Sequence, residues 1–224
     1  MAPGEPAPSA TPIPGRYGAL LIVLIASYLL SAFISAHWIE AVQVVLFTFA
    51  VLLALRNASI SRRAVRLVIA AAVIGMPVMF GLSFSTATGD IGSGIADIWT
   101  ALVLLAAAVL IIRRVLAFGT VTLQSIYGAI SAYLVLGFMF AAVFAAIWHF
   151  QGDHFFVTGE GGSTQNFQYF SYTTLTTLGY GDFTAASSSG RSVAVLEALT
   201  GQIFLATLVA RLVAAFRAPA DRQG

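Results

Sequence analysis

Thr176-Thr177-Leu178-Gly179-Tyr180-Gly181-Asp182 is the stretch around which this 224-residue chain is organised. Gly179 and Gly181 tolerate positive φ, so the backbone here can alternate between ordinary and left-handed conformations. Such alternation turns successive carbonyls to one side. Thr177 can add its hydroxyl to its carbonyl, and Tyr180 is large enough to wedge the strand against surrounding helices. Asp182 puts a negative charge where the strand ends. Read alone, Gly-Tyr-Gly is a glycine-rich turn after a helix. Here it follows a threonine-rich segment and lies between two long apolar segments, which favours a built site over a turn.

The heptapeptide resembles the potassium-channel selectivity filter, whose usual form is Thr-Thr-Val-Gly-Tyr-Gly-Asp. Leu178 replaces the valine and keeps its aliphatic character. The resemblance covers a pore module from about Gln124 to Arg217. It implies a tetrameric potassium channel in which backbone carbonyls replace the water shell of K+. It assigns K+ binding to Thr177, Leu178, Gly179, Tyr180 and Gly181, the outer mouth to Asp182, and filter support to Tyr169, Phe170, Thr173, Thr174 and Thr176. Tyr169, Phe170 and Tyr172 read as an aromatic cuff, with tyrosine and phenylalanine where the family often has tryptophans. Tyr169 is the expected hydrogen-bond donor to Asp182. Some prokaryotic members have a glutamate four residues before the filter threonine. Thr173 stands there, so a carboxyl pair behind the filter is absent.

Gly201 lies twenty residues after Gly181. The resemblance makes it an inner-helix hinge, while a small residue for tight packing accounts for it equally well. If it is the hinge, helical spacing places Ala198, Gln202, Leu205 and Val209 on one face, lining a cavity below the filter. Glu197 is ionisable inside an apolar span, which flags a functional site. A structural role, bonded to pore-helix hydroxyls such as Thr174, is the preferred account.

Composition bounds the class. The chain is 59% hydrophobic and 9% charged, far below the roughly 25% charged of soluble domains. With a mean hydropathy of +0.92, it is expected to be an integral membrane protein. The absence of cysteine excludes disulfides, thiolate metal sites and thiol nucleophiles. The three His show no catalytic spacing. A metal site built from His149, Asp153 and His154 is disfavoured against a solvated loop.

In chain order, 1–16 reads as a disordered, proline-rich cytoplasmic tail. Apolar runs follow at Tyr17–Ala36, Trp38–Leu55, Ala64–Phe84 and Ile98–Ile112, each a candidate span. The first is read as a retained helix rather than a signal peptide. Gly75 and Pro77 should kink the third. Arg56, Arg62, Arg63 and Arg66 place the loop between the second and third spans inside. Ser85–Asp97 reads as an outside loop. Ile98–Ile112 lacks the arginine at every third position of a voltage sensor; Arg113 and Arg114 only anchor its end. Residues 17–114 are therefore expected to form a four-helix transmembrane domain without voltage-sensing charges. Its role is open: peripheral domain, collar or docking surface. Residues 115–217 form the pore module, with Val115–Leu123 along the inner surface, Gln124–Phe150 and the final helix as spans, and Gln165–Thr176 as a re-entrant pore helix. Residues 218–224 make a short cytoplasmic tail, with no room for a ligand-sensing domain.

The expected architecture is all-α, with six spans, a re-entrant helix and filter loop, in a C4 homotetramer, because one strand cannot surround an ion. Both termini are placed in the cytoplasm and the chain in the cell membrane, a bacterial plasma membrane. The expected function is passive, K+-selective conduction that is not strongly voltage-gated. A weakly selective cation channel and a non-conducting sensor or scaffold are the alternatives. No enzyme activity, no cofactor beyond the permeant ion and no nucleic-acid partner are expected; the partners are K+ ions, the lipid bilayer and further copies of the chain.

Overall fold

The computed structural model describes residues 17–33, 39–56, 66, 68–75, 77–78, 81, 89–117, 121–152, 154–159 and 162–217. The expected tails 1–16 and 218–224, the arginine loop at 57–63, most of the third span and Asp153 lie outside the described residues. Six α-helices are named here: α1 (Tyr17–Phe33), α2 (Ile39–Arg56), α3 (Gly89–Ala117), α4 (Leu123–Gln151), α5 (Thr164–Leu175) and α6 (Ser188–Arg217).

Three segments are long and apolar enough to cross a membrane: Asp90–Ala117, Leu123–Gln151 and Ser188–Ala214. Tyr17–Phe33 and Val42–Ala54 are shorter apolar helices. At 12 residues, α5 is too short to span at about 1.5 Å per residue.

Helix α4 is the hub. α3 packs along it as an antiparallel neighbour, and α1, α5 and α6 also lie against it. Leu104, Ile111, Ala132, Val135 and Phe138 form the shared core with Leu20 and Leu24 of α1. The small residues of α4 allow this crowding. A Cβ on Gly128 would fall 2.7 Å from Val115, and one on Gly137 would collide with the Tyr172 ring. The start of α4 is fixed by a reciprocal cap, in which Thr122 accepts from Ser125 N at 3.2 Å and Ser125 Oγ accepts from Thr122 N at 2.9 Å.

Two expectations need correction. Ser85–Asp97 is not an outside loop as far as it is described, because α3 already begins at Gly89. Gly92, Ser93 and Gly94 disfavour a helix on propensity alone. Packing overrides propensity here, since the Phe150 ring of α4 sits 2.8 Å from where a Gly94 Cβ would be. Asp97 is consequently inside α3, bonded to His149 Nδ1 of α4 at 2.8 Å. Similarly, Val115–Ala117 are not a separate linker but continue α3.

In the third expected span, the backbone widens into a π-helical turn, Ala71–Gly75, just before Pro77. Proline removes a donor, and such turns absorb the mismatch. Trp99 Nε1 of α3 donates to Ala71 O at 3.3 Å, so a neighbouring helix does reach the disturbed carbonyls.

Candidate functional site

The site is built at the end of α5. Ser163 caps its start, accepting from Asn166 N at 3.2 Å. One face of α5 buries Phe167, Phe170, Ser171 and Leu175. Phe155, Phe156 and Phe144 close around Phe167 and Phe170 with edge-on and tilted rings. The far end is bolted to α4: Tyr172 Oη donates to Leu134 O at 2.7 Å, and Tyr133 Oη to Leu175 O at 2.9 Å.

Beyond Leu175 the chain reverses into the 176–182 stretch. Its amides turn back to α5. Thr177 N donates to Thr174 O at 2.9 Å, while Leu178 N and Gly179 N share Thr173 O at 2.9 and 3.1 Å. In a trans peptide the carbonyl points opposite to the N–H of the next residue. The carbonyls of Thr176, Thr177 and Leu178 therefore point away from α5, in a row. The alternation is visible in the dihedrals, with φ of 57° at Thr177, 50° at Gly179 and 81° at Gly181. The sequence marked the two glycines but not Thr177. A β-branched residue in the left-handed region is an outlier that surrounding bonds must hold. Gln202 Nε2 of α6 donates to Thr177 Oγ1 at 3.0 Å and helps hold it.

The far end of the stretch is pinned separately. Asp182 accepts from Tyr169 Oη at 2.7 Å and from Phe183 N at 3.0 Å. The Tyr169 hydroxyl holds the Asp182 carboxyl below the usual carboxylate range, and Asp182 pushes the phenol up to about 12. The chain after the stretch pairs with the chain before α5, Ala186 N donating to Phe155 O at 2.8 Å and Val157 N to Thr184 O at 3.0 Å. Arg191 Nε locks the same corner by donating to Ala185 O at 2.9 Å.

Other expected residues fall as follows. Of the aromatic cuff, Tyr169 alone reaches the stretch with its side chain among the described residues. Phe170 is turned into the phenylalanine cluster, and Tyr172 packs on Tyr28 and Phe138. Tyr180 is not wedged by helices of its own chain; it is 69% exposed, and Leu178 54%. Thr173 and Thr176 bond back to Phe170 O and Tyr172 O at 3.0 and 2.7 Å. Gly201 is a close-packing position: a Cβ there would collide with the Leu175 carbonyl, and α6 runs unbroken through it. Gln202, Leu205 and Val209 are exposed along α6. Glu197 is fully buried, and its partner is Ser171 Oγ at 2.5 Å rather than Thr174. Sequence reasoning missed Ser171 and Tyr133, hydroxyls on otherwise apolar helix faces, which are the one signal that could have flagged them. Among the described residues no cluster of three metal-ligating side chains occurs, and His149 is engaged by Asp97.

No curated protein and no solved structure matches the chain. Residues 132–218 match the family model described as "Ion channel". That match takes in most of α4, all of α5, the 176–182 stretch and α6, so this part of the chain is similar to ion-channel domains, and the similarity points to a non-enzymatic, transporter-type protein.

Proposed function

We propose that the protein is a K+-selective channel, formed when four copies bring their 176–182 stretches around one axis. The observation that carries this reading is the row of carbonyls at Thr176, Thr177 and Leu178, turned away from α5 by the amide bonds to Thr173 O and Thr174 O. A dehydrated cation needs oxygen ligands, and uncharged carbonyls supply them without trapping the ion. The carbonyls of Thr177, Leu178, Gly179 and Tyr180 form the K+ sites. Asp182 stands at the outer mouth, α5 is the re-entrant pore helix, and α6 is the inner helix. The C-terminal end of α5 turns its partial negative charge toward the ion path.

The exposed surface supports assembly. Val195, Leu196, Leu199 and Ile203 of α6 are more than half exposed in the single chain, as are Leu178 and Tyr180. A neighbouring copy would cover Tyr180 and supply the missing wedge. In this reading the chain crosses the cell membrane six times with both termini inside, and the arginines at 56, 62, 63 and 66 mark the cytoplasmic side. Purified protein in liposomes, under opposed K+ and Na+ gradients, tests the function. Flux that follows the K+ gradient is expected; equal permeability to both ions would overturn it.

A further inference from the structure

Ser171 Oγ sits at the centre of a buried polar relay that the filter reading leaves unused. It lies 2.7 Å from the Gly137 carbonyl of α4 and 2.5 Å from Glu197 Oε1 of α6. Ser171 and Glu197 are both fully buried. A hydroxyl has one proton, and a backbone carbonyl only accepts. The Ser171 proton must go to Gly137 O, because nothing else can fill that short oxygen-to-oxygen contact. The Ser171–Glu197 contact then needs a second proton, and only the carboxyl can bring it. The neighbouring hydroxyls cannot substitute, since Tyr172 donates to Leu134 O and Tyr133 to Leu175 O.

The surroundings agree. Glu197 forms no salt bridge among the described residues. The elements against this part of α6 are α5 and α4, and the titratable groups they bring are Tyr172 and Tyr133, with no Arg or His among them. On α6 itself, Arg191 and Arg211 are displaced by six and fourteen residues, about 9 and 21 Å along the axis. Glu197 Oε2 has no hydrogen-bond partner among the described residues. As the carbonyl oxygen of a neutral acid it costs far less than as half of an unpaired buried carboxylate.

We propose that Glu197 is a positioning residue held as the neutral acid, which donates its proton to Ser171 and, through the one-way relay to Gly137, clamps α5 between α4 and α6. Ser171 stands two residues before Thr173, whose carbonyl holds the filter amides of Leu178 and Gly179. The clamp thereby sets the filter's position, and loss of the proton releases it. Its effect on flux rests on the channel reading above; the protonation does not.

Infrared spectroscopy of the full chain in lipid, with exchange into deuterated water, tests the protonation. A protonated-carboxyl band at neutral pH, absent in Glu197→Gln, is expected; its absence from the unaltered protein overturns the proposal. Flux against pH tests the clamp. The amide of Glu197→Gln keeps a donor toward Ser171, so flux at neutral pH should stay within about threefold of the unaltered protein while its alkaline fall disappears. Glu197→Ala and Ser171→Ala should each lose tenfold or more. If Glu197→Gln falls as far as Glu197→Ala, or keeps the alkaline fall, the clamp is overturned even where the variants fold. A channel without K+ preference that still shows the band sinks the channel reading and leaves the protonation standing.

Discussion

At the residue scale, the 176–182 stretch is held by backbone angles that few residues adopt. Gly179 has φ of 50° with nothing near the position of its missing Cβ. The obstacle to a side chain there is conformational, about 1–2 kcal/mol for a left-handed L-residue. Gly179→Ala should therefore abolish conduction in liposome flux while leaving the folded fraction measurable, because the peptide planes must turn to relieve the strain. Thr177 already bears that strain, held by Gln202 at 3.0 Å. Tyr169→Phe tests the other end. The hydroxyl lowers the Asp182 carboxyl, so its stabilisation is present above the ordinary carboxylate range and disappears as pH falls through the lowered value. Acid applied from the outer side should inhibit the variant at a higher pH than the unaltered channel. An unchanged acid midpoint would show that the bond does not hold the mouth.

At the element scale, α6 approaches α5 where neither helix leaves room. The Leu175 carbonyl occupies the place of a Gly201 Cβ, and backbone cannot give way as a side chain can. Gly201→Ala should cost about 1–3 kcal/mol as overpacking, read as a lower thermal midpoint of the assembled protein. An unchanged midpoint together with altered gating would favour a hinge instead. The long apolar helices α4 and α6 were legible because length and hydropathy decide them. The turned backbone at 179–181 was legible because its glycines take special angles. The start of α3 was not, since Gly92 and Gly94 argue locally against a helix and only the Phe150 ring of α4 explains them. The partner of Glu197 was not legible either. Spacing places hydroxyls on α5, but the choice of Ser171 over Thr174 depends on how α5 rotates between α4 and α6.

At the scale of the whole molecule, two expectations follow. Mass measurement in mild detergent should give four copies, since Tyr180 and the Val195–Leu196–Leu199–Ile203 face are left uncovered by one chain; a conducting monomer would contradict the shared-axis pore. The second expectation is that gating depends only weakly on voltage. A charge crossing the field gains about 2.3 kcal/mol per 100 mV, so steep gating needs several moving charges per subunit. Along α3 the arginines are Arg113 and Arg114, both within its last turns. Asp97, an acid within α3, is tied to His149 of α4, toward the opposite end. The arginine end of α3 is also tethered: Arg211 of α6 donates to Val115 O at 2.5 Å and to Leu116 O at 3.4 Å. A cation on the last carbonyls of a helix is favoured by the helix dipole. Fastened to α4 at Asp97 and to α6 at its last turn, α3 has neither a ladder of arginines nor the freedom to slide. Recording over a wide voltage range in symmetric K+ should give a shallow conductance–voltage curve, unchanged when Arg113 and Arg114 are both replaced by Gln. A steep sigmoid lost in that double variant would show that those two arginines move after all, and that the Arg211 tether yields under the field.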